Sequence, residues 1–128
     1  MKSIDEISSD VIGTSMAIHR EIGPGLLESV YEAILAKKLA RLGYEVEQQK
    51  SLGFSFEDMH FPAAFKVDLL VDRRLVIELK SIERLQPVHA KQLLTYLRLM
   101  KLPVGLLVNF GCDTLKEGIK RVVNNYDD

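Results

Sequence analysis

Three ionisable side chains stand in runs that otherwise have the make-up of buried strands. Residues 65–80 read FKVDLLVDRRLVIELK, and Asp68, Glu78 and Lys80 interrupt stretches rich in Val, Leu and Ile. Side chains alternate across a strand, so Glu78 and Lys80 share one face while Leu75, Ile77 and Leu79 share the other. Asp72-Arg73-Arg74 is the polar break, which predicts an antiparallel hairpin. The length of its loop decides whether the charges meet. A two-residue loop at Arg73-Arg74 would set Asp68 opposite Leu79, facing away from Glu78. An odd loop or a bulge sets Asp68 opposite Glu78 or Lys80, with facing Cβ atoms about 4.5–5.5 Å apart, and this is the expected register. Two carboxylates that close call for positive charge between them, and a hard divalent cation with oxygen ligands supplies it. A solvated strand face carrying an ordinary Glu-x-Lys pair is the competing reading. Charges within such apolar runs are costly unless paired or metal-bound, and on these residues alone the two readings stand level.

The elements around the hairpin must position it. Ser3 followed by Glu6 has the form of a capping box, and Ile4, Ile7, Val11, Ser15, Ile18 and Ile22 recur at helical spacing, predicting a helix from about Ile4 to Arg20. Gly23-Pro24-Gly25 stops it. A second helix opens at Leu26-Leu27-Glu28, with Leu27, Val30, Tyr31, Ile34, Leu35 and Leu42 as its apolar stripe and Gly43 at its end. Glu28 falls in the first turn, where the helix dipole alone accounts for a carboxylate, and Tyr31 lies one turn on. Residues 44–49 and 52–56 read as strands broken by Ser51 and Gly53, and 57–60 as a turn. Pro87 suits the first position of a helix running to about Met100, with Ala90, Leu93, Leu94, Leu97 and Met100 on its core face. His89, Gln92 and Tyr96 form an adjacent polar stripe that could border the charged hairpin face, Gln92 being the most suggestive. Residues 102–108, LPVGLLV, read as a strand covered on both faces, followed by a turn at Asn109-Phe110-Gly111. Gly118 makes the terminal segment a short strand or a broken helix. His19 reads as a cap or surface histidine, His60 as a loop histidine and His89 as a partly exposed one.

Composition bounds the function. The 128 residues, 47% of them hydrophobic, suit one globular domain. Seventeen Lys and Arg against eighteen Asp and Glu leave a net charge of -1, so no global basic field draws the chain to nucleic acid. A single cysteine beside three scattered histidines offers neither a disulfide nor zinc-ligand spacing. No signal-like or membrane-length apolar run occurs, and a soluble, cytoplasmic protein is the expectation.

Gly25-Leu26-Leu27-Glu28-Ser29-Val30-Tyr31 resembles the G-x-x-E-x-x-Y signature of the GxxExxY family, as do the flanking residues 19–24 and Asn109-Phe110-Gly111. That family is similar to the PD-(D/E)xK nucleases, and the resemblance runs across nearly the whole chain. It implies an α/β, restriction-endonuclease-like αβββαβ core with a mixed sheet flanked by helices, here with an extra N-terminal helix. It implies an acidic residue from the first core helix, Glu28, an Asp from one strand, Asp68, and a (D/E)-x-K from the next, Glu78 and Lys80. Val67 stands where the superfamily's name has Pro, a position at which its members vary. Gln92 and Tyr96 resemble the Q-x-x-x-Y helix motif of RecB-like members.

The function so implied is metal-dependent hydrolysis of nucleic-acid phosphodiesters, DNA foremost. Glu28, Asp68, Glu78 and the Leu79 carbonyl would bind Mg²⁺ or Mn²⁺, Lys80 and Gln92 would assist, and Tyr31 and Tyr96 would line the site. A homodimer is a superfamily expectation. A nuclease-fold binding or regulatory module without turnover is the alternative, and a hydrolase of another phosphoester a weaker one.

Overall fold

The computed structural model describes residues 1–126. Helix α1 (Ile4–Ile22) starts at the expected capping box: the Ser3 hydroxyl accepts from the Glu6 N–H, and the Glu6 carboxylate accepts from the Ser3 N–H, each at 3.1 Å. It runs slightly past Arg20 and ends at Gly23, whose φ of 82° an L side chain rarely adopts. Ile4, Ile7, Val11, Ser15 and Ile18 are buried, whereas Ile22, the last residue of the helix, is exposed. Helix α2 (Glu28–Arg41) buries Tyr31, Leu35 and Leu39, a strict four-residue spacing, with Ala36 beside them. The expected stripe is therefore turned: Leu27, Val30 and Leu42 are exposed, Leu27 being the non-helical residue ahead of the first turn.

The sheet has five strands in chain order, β1 (Val46–Phe56), β2 (Met59–Val71), β3 (Leu75–Lys80), β4 (Val104–Asn109) and β5 (Ile119–Val123). β1, β2 and β3 are antiparallel, β3 and β4 parallel, β4 and β5 antiparallel, which makes the sheet mixed. β1 is one strand rather than two short ones. Ser51 lies within it, and a Cβ on Gly53 would stand 2.5 Å from the Phe61 carbonyl oxygen, so glycine there admits a close backbone approach at an irregularity instead of ending the strand. The turn after it is only Glu57-Asp58; Met59 and His60 belong to β2, and His60 pairs across the hairpin with Ser55, Nδ1 lying 2.7 Å from the Ser55 hydroxyl.

Helix α3 (Pro87–Met100) crosses from β3 to β4 with the bounds its sequence suggests. His89 is part of its cap, Nδ1 accepting from the Gln86 N–H at 2.9 Å. A single helical turn, α4 (Leu115–Gly118), precedes β5, so the terminal segment is both of the things Gly118 implied. Helices α1 and α2 cover one face of the sheet through Tyr31, Leu35, Leu69, Ile77, Leu79 and Leu106. On the other face α3 packs Leu93 and Leu97 against Val67, Leu70, Val76 and Leu107. Burying each such aliphatic side chain contributes roughly 1.5–3 kcal/mol. The result is an α/β layered core with its hairpin at the centre. Among the described residues no helix is long and apolar enough to cross a membrane.

Candidate active site

The central hairpin has the odd loop its charges required. Val71 pairs with Leu75, Leu70 with Val76 and Leu69 with Ile77, leaving Asp72-Arg73-Arg74 as a three-residue connection. Asp72 and Arg73 both take left-handed backbones, φ 52° and 56°. Asp72 is held by a reciprocal pair, its N–H donating to the Glu45 carbonyl and its Oδ1 accepting from the Glu45 N–H, each 2.8 Å.

The same register continued by one step sets Asp68 opposite Glu78, but backbone pairing stops at Leu69 and Ile77. Side chains take over. The Asp68 N–H donates to Glu78 Oε2 at 2.6 Å, and the Leu79 N–H donates to Asp68 Oδ2 at 2.8 Å. Each carboxylate thus satisfies a backbone donor of the opposite strand while the strands part. Glu78 is only 6% exposed. Burial first, and the negative charge of Asp68 second, push its carboxyl up to about 8, with Lys80 and the Asp68 N–H opposing. Glu78 without a cation is therefore largely protonated at neutral pH.

The helical carboxylate that reaches this cluster is Glu32. Glu28 is exposed in the first turn of α2, where the dipole stabilises it. Glu32, one turn further on, is 9% exposed and acts electrostatically on Glu78. Its oxygens accept from two amides of β1: Gln48 Nε2 to Oε2 at 3.2 Å and Gln49 Nε2 to Oε1 at 2.6 Å. Gln49 Nε2 also donates to Asp68 Oδ1 at 3.1 Å, joining α2 to the hairpin. Neither Glu32 nor Gln49 stands out in the sequence; the one available sign was Glu32's spacing of four from Glu28, which gives both the same side of the helix.

Tyr96 borders the site. Its ring stacks on Phe65 at 4.6 Å, and its hydroxyl is pushed above the usual range by burial and by the charges of Glu78 and Asp68. Gln92 is exposed one turn earlier on α3. Tyr31 does not line the site, because it is fully buried and its ring stacks on Phe110 at 4.4 Å. Its hydroxyl donates to the Gly23 carbonyl at 2.6 Å and accepts from the Leu26 N–H at 3.2 Å. It pins the segment between α1 and α2, whose Leu26 carbonyl accepts from the hydroxyl of Ser81, the residue after Lys80.

Asn109 was expected in a turn and instead closes β4, paired with Lys80 and fully buried. Its Oδ1 accepts from the N–H groups of Ile82 and Gly111, each at 3.0 Å, and the Phe110 N–H donates to the Lys80 carbonyl at 2.8 Å. Gly111 must lack a side chain, since a Cβ would stand 2.1 Å from the Ile82 carbonyl oxygen. These contacts fix the chain at Lys80 and just after it. His19 is likewise no surface residue: it is buried, with Nε2 2.9 Å from the Cys112 carbonyl.

The side-chain donors suit a hard divalent cation, being carboxylate oxygens of Asp68 and Glu32 near a buried Glu78 whose ionised form lacks enough positive charge. Among the described residues no three acidic, His or Cys side chains converge tightly enough to hold a metal as they stand. The amides of Gln48 and Gln49 hold Glu32.

Residues 5–122 match the model of the PD-(D/E)XK nuclease superfamily, and the chain belongs to that superfamily. Members of the superfamily generally use divalent metal ions, and nuclease-type chemistry is the class to which that membership points. No curated protein and no solved structure matches the chain.

Proposed function

We propose that the protein hydrolyses phosphodiester bonds in nucleic acid, with DNA as the substrate, at the Asp68–Glu78–Lys80 cluster. The observation that carries this reading is the reciprocal Asp68–Glu78 arrangement, a buried Glu78 and a half-buried Asp68 brought together by one strand register, with Lys80 acting on Glu78 from two residues away. Asp68, Glu78 and the Leu79 carbonyl would hold Mg²⁺ or Mn²⁺, with Glu32 in the place that the family resemblance gives to Glu28, and the ion when bound would supply Lewis acidity towards the phosphate and a more acidic water. Lys80 would orient the attacking water or help deprotonate it, and would stabilise the charge growing on the phosphoryl oxygens. Tyr96 would wall the site on the α3 side, and Gln92, exposed one turn away, would hold the nucleic-acid backbone. With a net charge of -1 the chain brings little attraction of its own to a polyanion, so binding of DNA should itself depend on the cation.

The test is incubation of wild type and Glu78→Ala with circular and linear DNA, single and double stranded, in Mg²⁺, in Mn²⁺ and in EDTA. Cleavage that needs the metal and Glu78 is the expected result, and the circular forms separate internal from end-directed cutting. Cleavage in EDTA, or undiminished cleavage by the variant, contradicts the proposal. A nuclease-fold module without turnover has one observation in its favour, the amide bridge that ties Glu32 to Asp68; it predicts no cleavage under any of these conditions.

A further inference from the structure

Gln49 combines features that neither strand formation nor packing explains. It sits inside β1 with a left-handed backbone, φ 49°, a conformation that costs a non-glycine residue energy and persists where the surroundings enforce it. Its side chain is exposed, yet one nitrogen, Nε2, serves two carboxylates at once, Glu32 Oε1 at 2.6 Å and Asp68 Oδ1 at 3.1 Å. Oxygens of both acids therefore converge on a single donor. A divalent ion that joined Glu32 to Asp68 would need this same shared position, at oxygen distances of about 2.0–2.6 Å.

We propose that Gln49 is a stand-in for the cation: its amide holds Glu32 and Asp68 together in the metal-free protein and must withdraw before both can ligate one ion. The inference rests on the metal reading of the site. Because the side chain is exposed, it can swing into solvent without opening the core. Its hydrogen bonds to two anions stabilise the metal-free form and compete with loading, so Gln49 sets the cation concentration at which the site fills.

Gln49→Asn tests this, since Asn tolerates the left-handed backbone and keeps an amide, but is one methylene too short to span both carboxylates. Calorimetric titration of the cation-free full chain with Mn²⁺, alongside melting in EDTA and in Mn²⁺, is the measurement. Losing hydrogen bonds to charged groups should tighten Mn²⁺ binding by about tenfold or more, lower the melting temperature in EDTA, and enlarge the rise that Mn²⁺ produces. Gln48→Asn, which touches Glu32 alone, should show a smaller gain. If Gln49→Asn melts too low to titrate, Gln49→Gly, equally at ease with the backbone, takes its place. A purely structural Gln49 would lower stability in EDTA and leave Mn²⁺ affinity unchanged or weaker, and that result overturns the stand-in while leaving the metal site intact. Failure of the wild type itself to bind Mn²⁺ overturns the metal reading and the stand-in with it.

Discussion

Replacing Glu78 with Gln should stabilise the cation-free protein, by an amount that grows as pH rises. In the folded chain the Glu78 carboxyl titrates near 8, whereas its ordinary value is 4.5. Between those values the folded state keeps a proton that the unfolded state has released, so stability falls as pH rises through the interval. Below it both states are protonated and the penalty vanishes; above it the penalty is complete. At about 1.4 kcal/mol per tenfold change in proton affinity, the ceiling is roughly 4–5 kcal/mol. Residual structure and charge interactions in the unfolded chain reduce this, and about 2–4 kcal/mol is the working expectation. Gln preserves the shape and the acceptor that takes the Asp68 N–H, so the substitution removes the charge and little else. Urea denaturation of both proteins in EDTA at pH 4.5, 6.5 and 8.5 reads the difference. The gap should be small at pH 4.5 and reach its full size at pH 8.5, where it corresponds to a rise of roughly 6–16 °C in melting temperature for a chain of this size. A gap that is flat with pH, or a variant less stable at pH 8.5, would refute the account of Glu78 as a buried carboxylate short of positive charge.

Three further outcomes follow from the same geometry. Glu32→Gln should cut metal-dependent cleavage by about a hundredfold or more, whereas Glu28→Gln should leave it within about twofold, measured as initial rates on one DNA substrate. Asn109→Ala removes the acceptor shared by Ile82 and Gly111 and should cost about 2–4 kcal/mol in urea denaturation, since two partly buried N–H groups lose their partner. Tyr31→Phe loses the hydroxyl bridge between Gly23 and Leu26 but keeps the stack on Phe110; a loss of about 1–2 kcal/mol, with faster hydrogen exchange at Leu26, is expected.

How far the sequence alone reaches depends on how local the cause is. The odd hairpin loop was legible because the period of two makes loop parity and charge placement one question: an odd loop or a bulge is needed for Asp68 to share a face with Glu78, and the odd loop is the one seen. α3 was legible from Pro87 and a clean apolar spacing. Glu32 was not, because its burial comes from β1 laying Gln48 and Gln49 over α2, a contact between segments whose pairing no local pattern states. Gln49 carries no turn-forming chemistry, so its left-handed backbone was invisible. Ser51 and Gly53 read as strand breakers because the sequence does not show that the Phe61 and Pro62 backbone comes close against Gly53. Tyr31 lay at the right spacing to join a site, and only the Gly23, Leu26 and Phe110 contacts show it to be a pin in the core.

The central claim is that Asp68, Glu78 and Lys80 form one catalytic unit. Its most direct test is single-turnover cleavage of DNA in Mg²⁺ by wild type and Lys80→Ala, with the Mn²⁺-induced melting shift recorded for both. The account predicts that the variant keeps the metal-induced shift and loses cleavage by about a hundredfold or more. Equal cleavage by the two proteins would contradict it and place the chemistry elsewhere.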